Sequence, residues 1–517
     1  MSSLAGEYRR APAGRPSRAP VVACLFLIGA ALILVAVAVV AGSGLQLAAA
    51  PLGLLVLVAA SHQRVLAWRS LLALTILVIL FIPIKRYTLP SALPFNLEIY
   101  RLIVFAVFLA WLTSLLIDER VRLRRSGLEA PLVAYLVVIL ASLLVNTKRV
   151  NAVGPDVIKS VTFFLSFVIV FWILVSLARR ARDIDFLVRV LAGGGAVLAL
   201  TAVIESRTNY NVFNHLRSVL PFLHYEQSLA PNVDRGGRLR VYASAQHPIA
   251  LSAAMAMLLP LALYRAQASR QRLWWAAVAL ILFGVLAARS RTGIVMLLAI
   301  GIVYLVLRPK QLKRLWPALI PALVAVHIVL PGALGTIQAS FFPKGGIIAE
   351  QNNASAGHAR LATLGPALRN EFAPNPILGE GFATRVPQPD EYVPVPNAPI
   401  TDDQWLVVLL ETGVVGMAAF LWLFLRALRR MGKAAKRDPS PRGTLLVATT
   451  ASVAAYGVSM FTYDAFSFIQ STFLFFIVLG VGAAALHSRP EEWEGLRRPA
   501  QRVVARGALA AASARGR

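Results

Sequence analysis

Two arginines one residue apart, in Arg289-Ser290-Arg291-Thr292-Gly293, stand at a tight connection between two apolar runs. Guanidinium groups carry rigid forks of N–H donors that match phosphate oxygens two at a time. Arg291 and Thr292 also open the next run, where helix N-terminal amides favour anions. The pair suits a phosphate or pyrophosphate; arginines snorkelling at helix ends are the ordinary alternative. Arg240 follows Arg235 and Arg238 and precedes the His247-Pro248 step. Arg360 stands in Gly357-His358-Ala359-Arg360-Leu361. Both are further candidate anion contacts. Lys159, close to Asp156, and Arg101, close to Glu98, fall inside or beside apolar runs, where charged groups usually face the protein interior. Lys159 is therefore kept as a candidate substrate contact, with an internal ion pair as the alternative.

Two acids, Asp402 and Asp403, immediately precede Gln404-Trp405-Leu406 and a strongly apolar run. The helix dipole explains one acid at such a position. It does not explain two, with Glu411 two turns further on. A carboxylate placed there can take a proton from an attacking hydroxyl as a general base. Asp402 and Asp403 are the candidate catalytic residues, and Glu411 a candidate substrate contact. His247 and His358 read as surface histidines, Asp464 as a helix end, and Glu205 with Arg207 as a simple pair.

These residues must be positioned by membrane helices. The chain has 517 residues, is 58% hydrophobic and carries a formal net charge of +28. Apolar runs of about 20 residues recur along it, each long enough for a hydrocarbon core of about 30 Å. The expected fold is all-α, a polytopic bundle of about 12–14 transmembrane helices, with a large extracytoplasmic loop containing short helices. The expected spans are 20–41, 45–60, 70–84, 97–117, 130–145, 157–177, 184–204, 248–265, 273–288, 293–307, 315–331, 404–426, 444–462 and 467–487. The basic excess is spread in short clusters between apolar runs, the pattern of topology signals rather than of a nucleic-acid surface. The single cysteine, Cys24, excludes an internal disulfide and a cysteine-based metal site. The seven histidines show no HExxH pairing, so no metal site is expected.

With the N-terminus in the cytoplasm, most basic clusters fall on the cytoplasmic side, Arg120–Arg125, Arg179–Arg182 and Arg426–Arg442 among them. Both termini then lie inside and both long loops, 205–247 and 332–403, lie outside. The chain divides into a tail at 1–19, helices at 20–204, the first loop, helices at 248–331, the large loop, helices at 404–487 and a basic tail at 488–517 read as unstructured or lying on the inner surface. Within the large loop, a helix-like stretch runs from Gly357 to Phe372. Asn375-Pro376-Ile377-Leu378-Gly379-Glu380-Gly381 then has the Gly and Pro content of a defined turn.

The order of the motifs is more specific than any one of them. An arginine-containing segment ends in His-Pro. A Ser-Arg turn follows, then a large loop with an arginine-started helix and Asn-Pro-x-x-Gly-x-Gly. A polar pair then leads into x-Trp-Leu-x-x-x-x-Glu-x-Gly-x-x-Gly. This resembles the O-antigen ligase and O-antigen polymerase superfamily of bacterial membrane proteins, best from Arg238 to Gly416. The resemblance implies a glycosyltransferase of the inner membrane that uses neither metal nor cofactor. Such an enzyme takes a glycan from undecaprenyl pyrophosphate at the outer face and joins it to an acceptor hydroxyl. Its partners would be the lipid-linked donor, an acceptor glycan or lipid, the bilayer and other polysaccharide assembly proteins, with no nucleic acid. By position, Arg240, Arg291 and Arg360 match the family's anion-binding arginines. Ligases of the family typically carry His-Asn where this chain has Asp402-Asp403, and an acidic residue is compatible with a polymerase. A flippase for lipid-linked oligosaccharide would use the same arginines, but no inverted repeat is evident. A non-catalytic subunit of an assembly complex is the third reading.

Overall fold

A computed structural model describes residues 68–90, 97–117, 121–226, 240–269, 271–342, 346, 360–386, 398 and 401–497. The expected spans 20–41 and 45–60 lie outside the described residues, as do Arg235, Arg238 and His358. Every other expected span is a helix. These are α1 (Trp68–Phe81), α2 (Ile99–Ile117), α3 (Glu129–Val145), α4 (Gly154–Leu177), α5 (Ala181–Thr208), α6 (Pro248–Ala268), α7 (Leu273–Ala287), α8 (Arg291–Leu307) and α9 (Leu319–Val329). After the shorter α10 (Arg360–Ala367) come α11 (Gln404–Arg437), α12 (Pro441–Ser459) and α13 (Ile469–His487). Six of them, α2, α4, α5, α6, α11 and α13, are long and apolar enough to cross a membrane. Among the described residues, strand is confined to the two-residue pair β1 (Tyr87–Thr88) and β2 (His224–Tyr225), joined antiparallel. The chain is an all-α polytopic membrane protein.

The helices at the centre are rich in small and hydroxyl side chains. α6, α12 and α13 pack on one another, and 94% of the α13 span is buried. Small residues let helix backbones approach where lipid supplies no hydrophobic drive between helices. Their hydroxyls are satisfied on carbonyls: Thr450 bonds Leu446 at 2.6 Å, and Ser452 crosses to Met257 at 2.7 Å. α2 lies at the rim, with only 33% of its span buried. The tail does not begin unstructured. Pro490–Arg497 is a helix, α14, because Trp493 buries its ring and donates to Ser488, while Glu492 accepts the Ala181 N–H at 3.0 Å.

Contacts gather the described parts of connections 82–98, 146–153, 209–247, 288–290, 330–403 and 460–468 at one end, called here the loop end. Among these contacts are Arg86 with Asn214, Asn146 with Gly379, and Gln246 with Ile469.

α11 is two helices joined at a break. Gly413 has φ 65° and ψ −169°, a conformation open essentially to glycine alone. A break inside a bundle frees carbonyls and amides that must be paired. The Asn375–Gly381 turn pairs them. Glu380 and Gly381 N–H donate to the Leu410 and Glu411 carbonyls at 2.9 and 3.1 Å. Val414 and Val415 N–H donate to the Pro376 and Ile377 carbonyls at 2.9 and 3.3 Å. α3 completes the joint: Ser142 Oγ donates to the Glu411 carbonyl at 2.7 Å, and Asn146 Nδ2 to Gly379 at 3.0 Å.

Replacing Gly413 with Ala forces an alanine into a glycine-only conformation and drives its Cβ into the Ile377 backbone. The strain alone costs about 1–3 kcal/mol. Thermal unfolding in detergent is expected to show a lowered midpoint for Gly413→Ala. Gly335→Ala, whose Cβ meets open space, is expected to leave it in place.

Candidate active site

The joint in α11 fixes a cluster of charge at the loop end. Glu411 lies on the last turn before the break and is buried. Its carboxylate accepts the Ala383 N–H, with Arg385 and Arg149 as nearby positive charges and Asp464 as a nearby negative one. Arg385 is itself buried and holds both oxygens of Glu371, through Nε at 2.6 Å and Nη2 at 3.3 Å. Glu380, inside the turn motif, pairs with Arg149 at 2.8 Å. Burial pushes the Glu380 carboxyl up from its ordinary range, and Arg149 opposes the rise. Aromatic rings floor the cluster. Phe164 packs on Phe382 and Phe466 at 5.9 and 5.6 Å between centroids, and Phe420 packs on Phe466 at 5.7 Å.

The connection 460–468 is the meeting point of the two motifs singled out in the sequence. Thr462 shares a 2.8 Å hydroxyl contact with Thr292, in the first turn of α8. Met460 accepts the Gln404 N–H at 2.8 Å, and the Gln404 side chain accepts the Phe466 N–H at 2.7 Å. The Arg289–Thr292 turn and Asp402-Asp403 are thereby seated on one short segment. Arg240 joins them: it is buried and its Nε donates to the Ala288 carbonyl at 3.3 Å, one residue before Arg289. Arg289 is buried, with φ 46°.

The two aspartates occupy different environments. Asp403 is the N-cap of α11, its Oδ1 accepting from Trp405 N–H at 2.9 Å and Leu406 N–H at 3.1 Å. This satisfies amides that the first turn of a helix otherwise leaves open. Asp402 has φ 46°, is half-buried, and lies in the electrostatic field of Asp464. Asp464 accepts the Ser467 hydroxyl at 2.5 Å and also feels Arg385 and Lys85.

A second clamp holds the segment that carries Arg240. Arg86 is buried and donates to Asn214 at 2.8 Å and to the Ala243 and Ala245 carbonyls at 2.6 and 2.9 Å. Glu205 accepts the Ala243 and Tyr242 N–H groups at 2.8 and 3.3 Å. Glu205 and Arg207 do not form the expected pair. Arg207 turns to the Ile328 carbonyl at 2.6 Å, because Glu205 is needed to pair buried amides. His247 caps α6, its Nδ1 accepting the Ile249 N–H at 3.2 Å, and its ring faces Phe468.

Lys159 is exposed on α4 and lies in the field of Glu98, which also pairs with Arg101 at 3.4 Å and accepts the Lys85 N–H at 2.7 Å. Arg360 opens α10. Sequence reasoning passed over Arg385, Glu371, Glu380 and Arg149. Glu380 sits inside the quoted turn motif and Arg385 four residues beyond it, a signal of charge beside a glycine-shaped turn.

Two consequences can be measured. Asp403→Asn retains a capping oxygen, whereas Asp403→Ala removes it at a cost of about 1 kcal/mol; the thermal midpoint is expected to fall for the alanine variant and to hold for asparagine. Burial raises the Glu98 carboxyl above its ordinary value of 4.5, with the Lys85 N–H and Arg101 opposing. The folded state therefore holds this proton more tightly than the unfolded chain. The stabilisation is complete below that ordinary value and is lost as pH rises through the raised folded value. In Glu98→Gln, the decline in unfolding midpoint from pH 5 upward is expected to be shallower than in the parent chain.

No curated protein matches this chain. Residues 276–421 match the family model of O-antigen ligase. The matched segment takes in the arginine turn, α8, the Arg360 helix, the Asn375–Gly381 turn, the aspartate pair and the broken part of α11. The match over residues 276–421 supports a place in the O-antigen ligase superfamily.

Proposed function

We propose that the protein is an integral-membrane glycosyltransferase of O-antigen polymerase or ligase type, acting in cell-surface polysaccharide assembly. It sits in the bacterial inner membrane with the loop end outside and both termini in the cytoplasm. In its support, the exposed basic residues Arg429, Lys433, Lys436 and Arg437 lie toward the opposite end of α11, as cytoplasmic flanks do. The donor is a glycan on undecaprenyl pyrophosphate and the acceptor is a hydroxyl of a second glycan or lipid.

The observation that carries this reading is the convergence of Arg240, the Arg289–Thr292 turn and Asp402 on the 460–468 connection. The reaction breaks the bond between the anomeric carbon and a pyrophosphate oxygen. Negative charge grows on the leaving group, and fixed guanidinium groups stabilise it as it forms. The acceptor oxygen forms the new bond to the anomeric carbon, and its proton passes to a carboxylate, assigned here to Asp402. Asp403 is committed to the helix cap and serves by holding Asp402 in place. The Glu411, Glu380 and Arg385 group supplies fixed donors and acceptors for sugar hydroxyls. Arginine charge on the leaving group lets the reaction run without a metal. An acid in place of the ligase His-Asn pair favours the polymerase form.

The test is the amount and chain length of surface polysaccharide in cells carrying single variants. Arg291→Ala is expected to lower product about a hundredfold, the scale for removing one fixed transition-state donor. Arg291→Lys should restore only part, since an ammonium lacks the fork. Asp402→Asn should abolish product while leaving the unfolding midpoint unchanged, because asparagine tolerates a left-handed backbone. Parental product from both Arg291→Ala and Asp402→Asn would overturn the proposal.

A further inference from the structure

The far half of α11 carries a groove that the proposed reaction does not use. Leu421, Trp422, Leu425, Arg426, Arg429 and Arg430 line it. They recur every three or four residues and so share one helix face. The face changes character along its length. Leu421, Trp422 and Leu425 are 43%, 41% and 40% exposed, and the three arginines follow. From Leu421 to Arg430 the helix rises about 14 Å, of which the apolar part, Leu421 to Leu425, takes about 6 Å.

The arginines are held together without an acid. Arg426 Nε and Arg430 Nη1 donate to the same carbonyl, that of Gly127, at 2.6 and 3.1 Å. Arg429 is exposed beside them. Like charges one helical turn apart repel. Among the described residues no carboxylate forms an ion pair with any of the three. Glu129, nearest to Gly127 in sequence, directs its carboxylate to the Ser126 N–H. Arg124 and Arg125 are exposed on the same Gly127 segment and add to the positive field. Arg426 also lies 5.8 Å over the Trp422 ring, linking the charged half of the groove to the apolar half. A guanidinium has five N–H donors, so one bond each to Gly127 leaves Arg426 and Arg430 capacity for an anion.

We propose that this groove binds an anionic diacyl phospholipid. Its phosphate lies on Arg429 and the remaining donors of Arg426 and Arg430, and one acyl chain runs along Leu425, Trp422 and Leu421. Charge complementarity selects the headgroup, and the exposed apolar side chains beside the arginines favour a lipid over a soluble anion.

The test uses the full chain reconstituted in phosphatidylcholine vesicles. Brominated-acyl phosphatidylglycerol or brominated-acyl phosphatidylcholine is added as a fluorescence quencher. The signal lost in Trp422→Phe defines the Trp422 contribution among the nine tryptophans. Phosphatidylglycerol is expected to quench Trp422 half-maximally at a several-fold lower mole fraction than phosphatidylcholine. Arg429→Gln should remove that preference, while Arg437→Gln, exposed further along the same helix, should keep it. Equal quenching by the two lipids would overturn the site. So would an undiminished preference in Arg429→Gln, or an equal loss in Arg437→Gln, which would show general surface charge. Displacement by soluble glycerol phosphate would also overturn it, by assigning a site for free phosphate.

Discussion

The structure turns on four backbone hydrogen bonds that close the break in α11. A helix inside a bundle cannot lose its ladder unless something replaces it, because neither lipid nor apolar side chains can pair the freed groups. Here the replacement is a turn of the same chain. Glu380 and Gly381 supply the amides, and Pro376 and Ile377 the carbonyls. Proline removes a donor where only an acceptor is used. Gly379, Gly381 and Gly413 all have positive φ, and at Gly379 and Gly413 the neighbouring backbone also leaves no room for a Cβ. Glu411 is thereby fixed beside Arg385, because the turn that pairs its carbonyl continues directly into the segment bearing Arg385. One joint thus locks α11, α3 and the large loop together and sets the geometry of the charged cluster.

The electrostatics follow from that placement. Four acids, Glu371, Glu380, Glu411 and Asp464, lie around Arg385 and Arg149. Burying a carboxylate is costly unless it is paired and hydrogen-bonded. Each of these has a partner: a forked guanidinium, an ion pair, a backbone amide or a hydroxyl. Breaking one pair would leave a buried charge behind, so the cluster holds its members in fixed positions. Arg86 and Glu205 act likewise on the other side, clamping opposite faces of the 242–245 backbone and so carrying Arg240 to the arginine turn. Preorganised charge of this kind is what a transfer reaction with an anionic leaving group requires.

α11 has two faces of interest, and the break separates them. Before Gly413 it is buried among loops and contributes Asp403, Gln404 and Glu411 to the site. Beyond it, the helix turns exposed leucine, tryptophan and arginine outward. The first half belongs to the charged cluster at the loop end, and the second half carries the groove proposed for lipid.

Much of this was legible in the residues. Apolar runs located α1–α9 and α11–α13, because membrane spans announce themselves by length and hydropathy. The arginine turn, the aspartate pair and the Asn375–Gly381 turn stood out because charge and glycine are unusual beside such runs. The capping role of one aspartate followed from the helix dipole, although which of the two caps did not. Only the tertiary structure decided that Asp403 is the cap and that Glu205 pairs with amides instead of Arg207. It alone joined the Asn375 turn to the Gly413 break and made Arg385 the hub of the acids. The reason is physical. Hydropathy and helix propensity are local properties, written in neighbouring residues. The partners of a freed carbonyl or a buried charge are chosen across the fold, between residues such as Ser142 and Glu411 that lie 269 positions apart.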